Sequence, residues 1–274
     1  MSNLIPFQNN SPMAQQNLNP AIAAAAETAK AEIQAAYVVA HQVPRNAELC
    51  NRNIIQNCKR VRFAEKAIYK RPVGNGKSVE GLSIRFAETA IREWRNIRTS
   101  QTTIYEDENV RRIKVNCLDL ETNTGYTKEL DIAKIVERKS DKGREVVGER
   151  LNSYGEKIYI VKATDEEIYN KVETAVSKAI RNSGLRLIPE DILDEAFETC
   201  KETISGEVKK NLQDETKKAI KAFESLNISV DMLQQLLGHD VSKSTEEEVI
   251  ELRAIYQSIK QKEATFYDFL EQKE

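Results

Sequence analysis

The sequence predicts an α+β fold, an antiparallel β-meander packed by helices, with a helical extension ahead of it and an acidic all-helical module behind it. Three observations lead there. Leu82–Arg98 is strongly amphipathic at helical period; period-two alternation takes over between Thr102 and Ile132; and helical periodicity returns at Thr164 and runs to the end. A chain of 274 residues that is 40% apolar and 31% charged has the material for a core, in one large domain or two small ones. No apolar run approaches the roughly 18 residues that mark a membrane span, so no membrane partner is expected.

Residues 1–19 are rich in Asn, Gln, Ser and Pro with few apolar anchors, and are expected to be a disordered arm. A helix follows from Pro20, a good first-turn residue, to Gln42. Its Ala-rich stretch is interrupted by Glu27, Lys30 and Glu32 and follows an uncharged leader, so an export signal is not expected and a cytoplasmic location is. A second helix is predicted over Asn46–Lys66, with Leu49, Ile54, Cys58 and Val61 on one side and Lys59, Arg60 and Arg62 around its end. Ala67–Gly81 contains a Gly74-Asn75-Gly76 turn between apolar-basic flanks, the pattern of a hairpin or ordered basic loop.

In Leu82–Arg98 the residues Phe86, Ala87, Ala90, Ile91, Trp94 and Ile97 fall on one arc at 100° per residue, Arg85 and Arg92 lie opposite, Arg95 sits at the edge, and Ser83 is the N-cap. Thr102–Tyr105, Arg111–Leu120 and Tyr126–Ile132 then form a three-stranded meander, with Ile113, Val115 and Cys117 on one face. A second hairpin is predicted from Arg144–Asn152 and Lys157–Lys162 around Tyr154-Gly155. The next helix opens at Thr164 and runs to Ser183, with Gly184 as its left-handed terminator. It buries Ile168, Val172, Ala175, Val176 and Ala179 and carries Lys171, Lys178 and Arg181 on one flank. Beyond Pro189 the chain reads as helical, with a joint near Ser225–Ser229, a helix Val230–Leu237 ended by Gly238, a Thr245/Glu248 capping box, and a short helix Phe266–Leu270. The expected organisation is therefore an arm (1–19), an α+β domain (20–189) and an acidic helical protein-interaction module (190–274).

The net charge of −2 conceals a strong asymmetry. Residues 45–98 hold 13 Lys/Arg against 5 Asp/Glu, residues 99–189 hold 16 of each, and residues 190–274 hold 11 against 20. A basic block followed by an acidic tail points to a polyanionic ligand and a separate protein-docking region. The four cysteines, Cys50, Cys58, Cys117 and Cys200, include no C-x₂-C pair, and with only His41 and His239 beside them they are expected to be structural or free thiols rather than a metal site.

Three motifs suggest catalysis. Gly74–Ser78 resembles the end of a phosphate loop, but the first glycine of that pattern would stand at Arg71. Asp119–Gly125 resembles the first acidic motif of two-metal exonucleases, which would make Asp119 and Glu121 metal ligands. No aspartate follows His239 or any downstream tyrosine at the spacing that chemistry requires, and the segment also reads as a hairpin turn supplied by Asn123 and Gly125. No Ser/His/Asp or Cys/His set stands out. The expectation is a non-enzymatic protein without cofactor or metal, with a metal-dependent 3′–5′ exonuclease using Asp119 and Glu121, or a structural scaffold, as rivals. The remaining signal is basic: Arg85, Arg92 and Arg95 on one helix, Lys171, Lys178 and Arg181 on another, and Lys70, Arg71 and Lys77 with Tyr69 in the loop between helices. Cations spaced along a groove track phosphates, and a tyrosine stacks a base.

The order of elements and the segments VEGLSIRFAETAIREWRNI and ETAVSKAIRNSGLRL, with Glu80-Gly81 before the first core helix and Lys178-Ala179-Ile180-Arg181 before Gly184, resemble the core of phage-type single-strand DNA annealing proteins. The Rad-fifty-two-like branch is nearest, with RecT and Red-beta more distant, and the resemblance covers roughly residues 70–188. It implies a β-β-β-α annealing core and ATP-independent binding of single-stranded DNA, with annealing of complementary strands in phage homologous recombination and DNA repair. It further implies assembly as a homo-oligomeric ring or filament. Lys178 and Arg181 become DNA-phosphate contacts, and 190–274 becomes a docking module for a host single-strand-binding protein or a phage exonuclease.

Overall fold

The computed structural model describes residues 20–74, 77–152, 155–261 and 263–271. The expected arm and the predicted turn residues Asn75, Gly76 and Tyr154 lie outside them. The described residues fall into two compact units, 20–44 and 45–271. In the first, helix α1 (Pro20–Gln42) has the predicted bounds, and Tyr37 stacks on His41 one turn later, ring centroids 5.0 Å apart.

The second unit is α+β. Helix α2 (Ala47–Cys58) is capped by the Asn46 carboxamide, which accepts from Leu49 N–H, and it buries Cys50, Ile54, Ile55 and Cys58. The predicted helix Asn46–Lys66 is not continuous: Arg60 is extended, and α3 (Val61–Ala67) starts afresh. The reason is geometric. In one unbroken helix Ala64 would lie about 120° around from Cys58 at 100° per residue, whereas the break brings Ala64 and Ala67 into the same core. Strands β1 (Ile68–Gly74) and β2 (Lys77–Leu82) form the predicted antiparallel hairpin.

Helix α4 (Ile84–Trp94) carries the predicted cap, Ser83 Oγ accepting from Phe86 N–H, and buries Phe86, Ala87, Ala90, Ile91 and Trp94. It ends earlier than predicted because Arg95 and Asn96 both take positive φ, 65° and 53°, so Ile97 opens a strand instead of continuing the apolar arc. Strands β3 (Ile97–Glu106), β4 (Val110–Asp119) and β5 (Thr124–Ala133) make the antiparallel meander in the order β3-β4-β5. A second three-stranded sheet, β6-β8-β7, adds β6 (Ile135–Arg138) to the predicted hairpin of β7 (Val146–Leu151) and β8 (Lys157–Lys162).

Helix α5 (Asp165–Gly184) opens with a capping box between Thr164 and Glu167 and lays Ile168, Val172, Val176 and Ala179 on Ile113, Val115 and Ile132 of the meander. Gly184 is not the predicted left-handed terminator: its φ is −70°, and the chain runs on into a 3₁₀ turn over Leu185–Leu187. What requires glycine is space, since a Cβ there would lie 2.4 Å from Ile91 Cδ1 on α4.

Helices α6 (Glu190–Lys210), α7 (Leu212–Glu224), α8 (Val230–Leu237), α9 (Glu246–Lys260) and α10 (Phe266–Leu270) complete the unit. Gly238 ends α8 as predicted, in the left-handed conformation, and Thr245/Glu248 form the predicted capping box. Packing does not divide at residue 190. Ile192, Ala196, Cys200, Ile204 and Val208, at every fourth position of α6, share one core with α2, α3 and α4. A second core gathers Phe223, Leu233, Leu236, Leu252, Ile255, Phe266 and Phe269. Arg253 of α9 forms ion pairs with Glu65 of α3 at 3.0 Å and with Glu215 of α7, tying the acidic stretch to the basic block. All four cysteines are buried free thiols; burial pushes Cys50 and Cys117 up, and a hydrogen bond with Cys58 together with burial raises Cys200.

Candidate nucleic-acid interface

Four helices leave a groove of about 920 Å³ between them. Each contributes the side chains opposite its buried stripe. With Ala64 and Ala67 inward, α3 presents Arg62 and Lys66, preceded by Arg60. With Phe86, Ala90 and Trp94 inward, α4 presents Arg85, Glu88 and Arg92, one and two turns apart. Helix α5 supplies Glu173 and Lys178, and the end of α9 supplies Gln257, Lys260 and Gln261, with Glu263 just beyond. Among the described residues, seven Lys or Arg side chains therefore line the groove against three Glu. Arg85 makes a 3.1 Å pair with Glu88, but both side chains are more than half exposed, so the pair contributes little and leaves the guanidinium available.

A tighter cluster gathers around Glu263. Arg181, 7% exposed, donates from Nη1 to Glu263 Oε1 at 2.6 Å and lies over the Tyr69 ring, 4.7 Å from its centroid. Lys178 Nζ is 3.6 Å from the other oxygen of the same carboxylate. Tyr69 occupies this place because Gly81 faces it across the β1–β2 hairpin; a Cβ at Gly81 would meet the ring at 3.0 Å. The neighbouring Glu80 pairs with Lys201 of α6 at 3.3 Å.

The ten predicted DNA-binding residues are thus not all brought together. Arg85, Arg92 and Lys178 line the groove, and Arg181 and Tyr69 lie beside it, joined to it through Glu263. Lys171 is engaged elsewhere, its ammonium donating to the carbonyls of Ala133 (2.7 Å) and Ile135 (2.9 Å) where β5 passes into β6. Lys70 pairs with Glu251 at 2.6 Å, and its peptide is held by Ser258 of α9. Arg71 and Lys77 are exposed on the hairpin, and Arg95 is exposed beyond the end of α4. Arg60, Arg62, Lys66 and Lys260 belong to the groove and were not among the predicted contacts. The i, i+4 spacing of Arg62 and Lys66 was the signal for two of them.

Asp119 and Glu121, the carboxylates of the exonuclease-like motif, face a protein cation. Arg45 pairs with Asp119 through Nη2 and reaches Glu121 Oε1 through both its peptide N–H (3.0 Å) and Nε (2.9 Å). Asn96 Nδ2 donates to Glu121 at 2.6 Å, and the Arg45 guanidinium lies 5.2 Å from the Trp94 ring centroid. Burial works to raise Glu121, but the hydrogen bonds from Asn96 and Arg45 outweigh it and hold the carboxyl below its ordinary value. The two acids fasten the β4–β5 turn to the start of α2. Comparison with protein families, curated proteins and solved structures finds nothing that matches this chain.

Proposed function

We propose that the chain binds single-stranded DNA along the α3–α4–α5–α9 groove and anneals complementary strands without ATP. The observation that carries this reading is the convergence of seven cationic side chains from four separate elements on one groove, against three carboxylates. Cations distributed in this way follow a phosphate backbone and release its counterions, which leaves the bases to pair. The occupation of Asp119 and Glu121 by Arg45 weighs against the exonuclease reading, because a metal would have to displace a guanidinium held by two carboxylates. The acidic surface of the helices after residue 190 supports a protein-docking role, and assembly of copies along one strand follows from the same reading.

The test pairs binding with annealing. Wild-type protein should bind a fluorescent oligodeoxynucleotide at low salt and speed pairing with its complement in the absence of nucleotide. Arg62→Glu with Arg92→Glu, which reverses two groove charges on residues that bury no core, should abolish both while leaving the melting curve in place. Binding and annealing unchanged in that folded variant would refute the assignment of the groove.

A further inference from the structure

Glu263 lies between α9 and α10 and turns its carboxylate into the cationic groove. The side chain is only 5% exposed, although it belongs to a connecting segment, and it meets two cations, Arg181 at 2.6 Å and Lys178 at 3.6 Å. Its own peptide is anchored, Glu263 N–H donating to Ser258 C=O at 2.9 Å, and Phe266 and Phe269 of the following α10 sit in the second core. The carboxylate can therefore leave by side-chain rotation alone. Arg181 would not be stranded, since it also rests on the Tyr69 ring.

A second observation points to a ligand at the same place. Gln261, two residues earlier and also lining the groove, has both Oε1 and Nε2 buried without a hydrogen-bond partner among the described residues. A carboxamide with a free donor and acceptor matches the edge of a nucleobase. A guanidinium accepts a phosphate in the same forked geometry as a carboxylate.

We infer, resting on the nucleic-acid reading above, that Glu263 occupies the phosphate seat of Arg181 and Lys178 in the free protein and is displaced by a phosphodiester of the bound strand. The chain thereby carries its own competitor, which sets a threshold for strand entry. If Glu263 serves only to neutralise a buried arginine, its removal weakens the fold and gains no affinity.

The experiment measures binding of a fluorescent oligodeoxythymidylate to full-length wild type and Glu263→Gln at low salt. The inference predicts about tenfold tighter binding by the variant, equivalent to about 1.4 kcal/mol. Equal or weaker affinity in a variant that melts cooperatively overturns it. Should Glu263→Gln not fold, Glu263→Asp keeps the charge but withdraws it by one methylene; binding tighter than wild type supports the inference and unchanged binding overturns it. Failure of wild type and variant alike to bind overturns the nucleic-acid reading itself, and the competitor with it.

Discussion

Replacing Arg45 by Met removes the guanidinium that two carboxylates share, and the structure sets the size of the effect. The side chains of Arg45 and Asp119 are 9% and 5% exposed and that of Glu121 19%, so little solvent is at hand to take over. Breaking a buried ion pair by deleting one partner costs about 3–5 kcal/mol, because the other charge is left uncompensated. Some compensation survives: Asp119 still accepts from the Glu121 and Thr122 N–H groups, and Glu121 from Asn96. That places the expected loss near the lower end, about 3 kcal/mol at neutral pH, or a fall in Tm of roughly 6–12 °C for a chain of this size.

The pH dependence provides the sharper check. Glu121 is depressed in the folded protein, so its contribution is present above the unfolded carboxyl value and disappears as pH falls through the folded one. In Arg45→Met burial acts on Glu121 without the guanidinium, and protonation relieves the variant. Urea unfolding of both proteins at pH 7 and near pH 4 should show the gap narrowing toward acid. A loss under about 1 kcal/mol at pH 7, or a gap that does not narrow, would refute the reasoning that these acids form a buried structural knot.

Lys171→Met should cost about 1–2 kcal/mol, since two strand carbonyls lose a charged donor, while the affinity for single-stranded DNA and its salt dependence stay at wild-type values; urea melts and a salt titration separate the two effects. Gly184→Leu should destabilise by about 2–3 kcal/mol through overpacking against Ile91, and by prising α5 from α4 it should also weaken DNA binding, read by the same two assays.

The parts of the fold that could be read from sequence are those whose signals are local. The buried stripe of α4, the Ile113/Val115/Cys117 face of β4, the helix start at Thr164, the Thr245 capping box and the helix end at Gly238 all stand where the residues placed them. What could not be read depends on partners far along the chain. Gly184 looks like a helix terminator until Ile91 is seen against it, more than ninety positions away in sequence. Arg95 ends α4 in a positive-φ conformation that arginine does not ordinarily favour. In the candidate site, Arg85, Arg92 and Lys178 were legible because helical spacing exposes them. Lys171 shared that spacing but found carbonyl partners from a strand connection. Segment charge hid Lys260 inside an acidic tail, and nothing local announces that Glu263 returns to Arg181 across more than eighty residues. The acidic and basic blocks, distinct in sequence, share one compact unit through α6 and the Glu65–Arg253–Glu215 contacts.

The central claim is that the groove between α3, α4, α5 and α9 holds a single strand by its phosphates. Its most direct test is the salt dependence of oligodeoxythymidylate binding. With seven cations set against three carboxylates, about four phosphates are neutralised, and at about 0.7 per phosphate for a single strand the slope of log K against log salt should lie near −3. Binding with that slope by the wild type, and its loss in Arg62→Glu with Arg92→Glu, is the predicted result. No binding at low salt, or a slope that those substitutions leave unchanged, would contradict it.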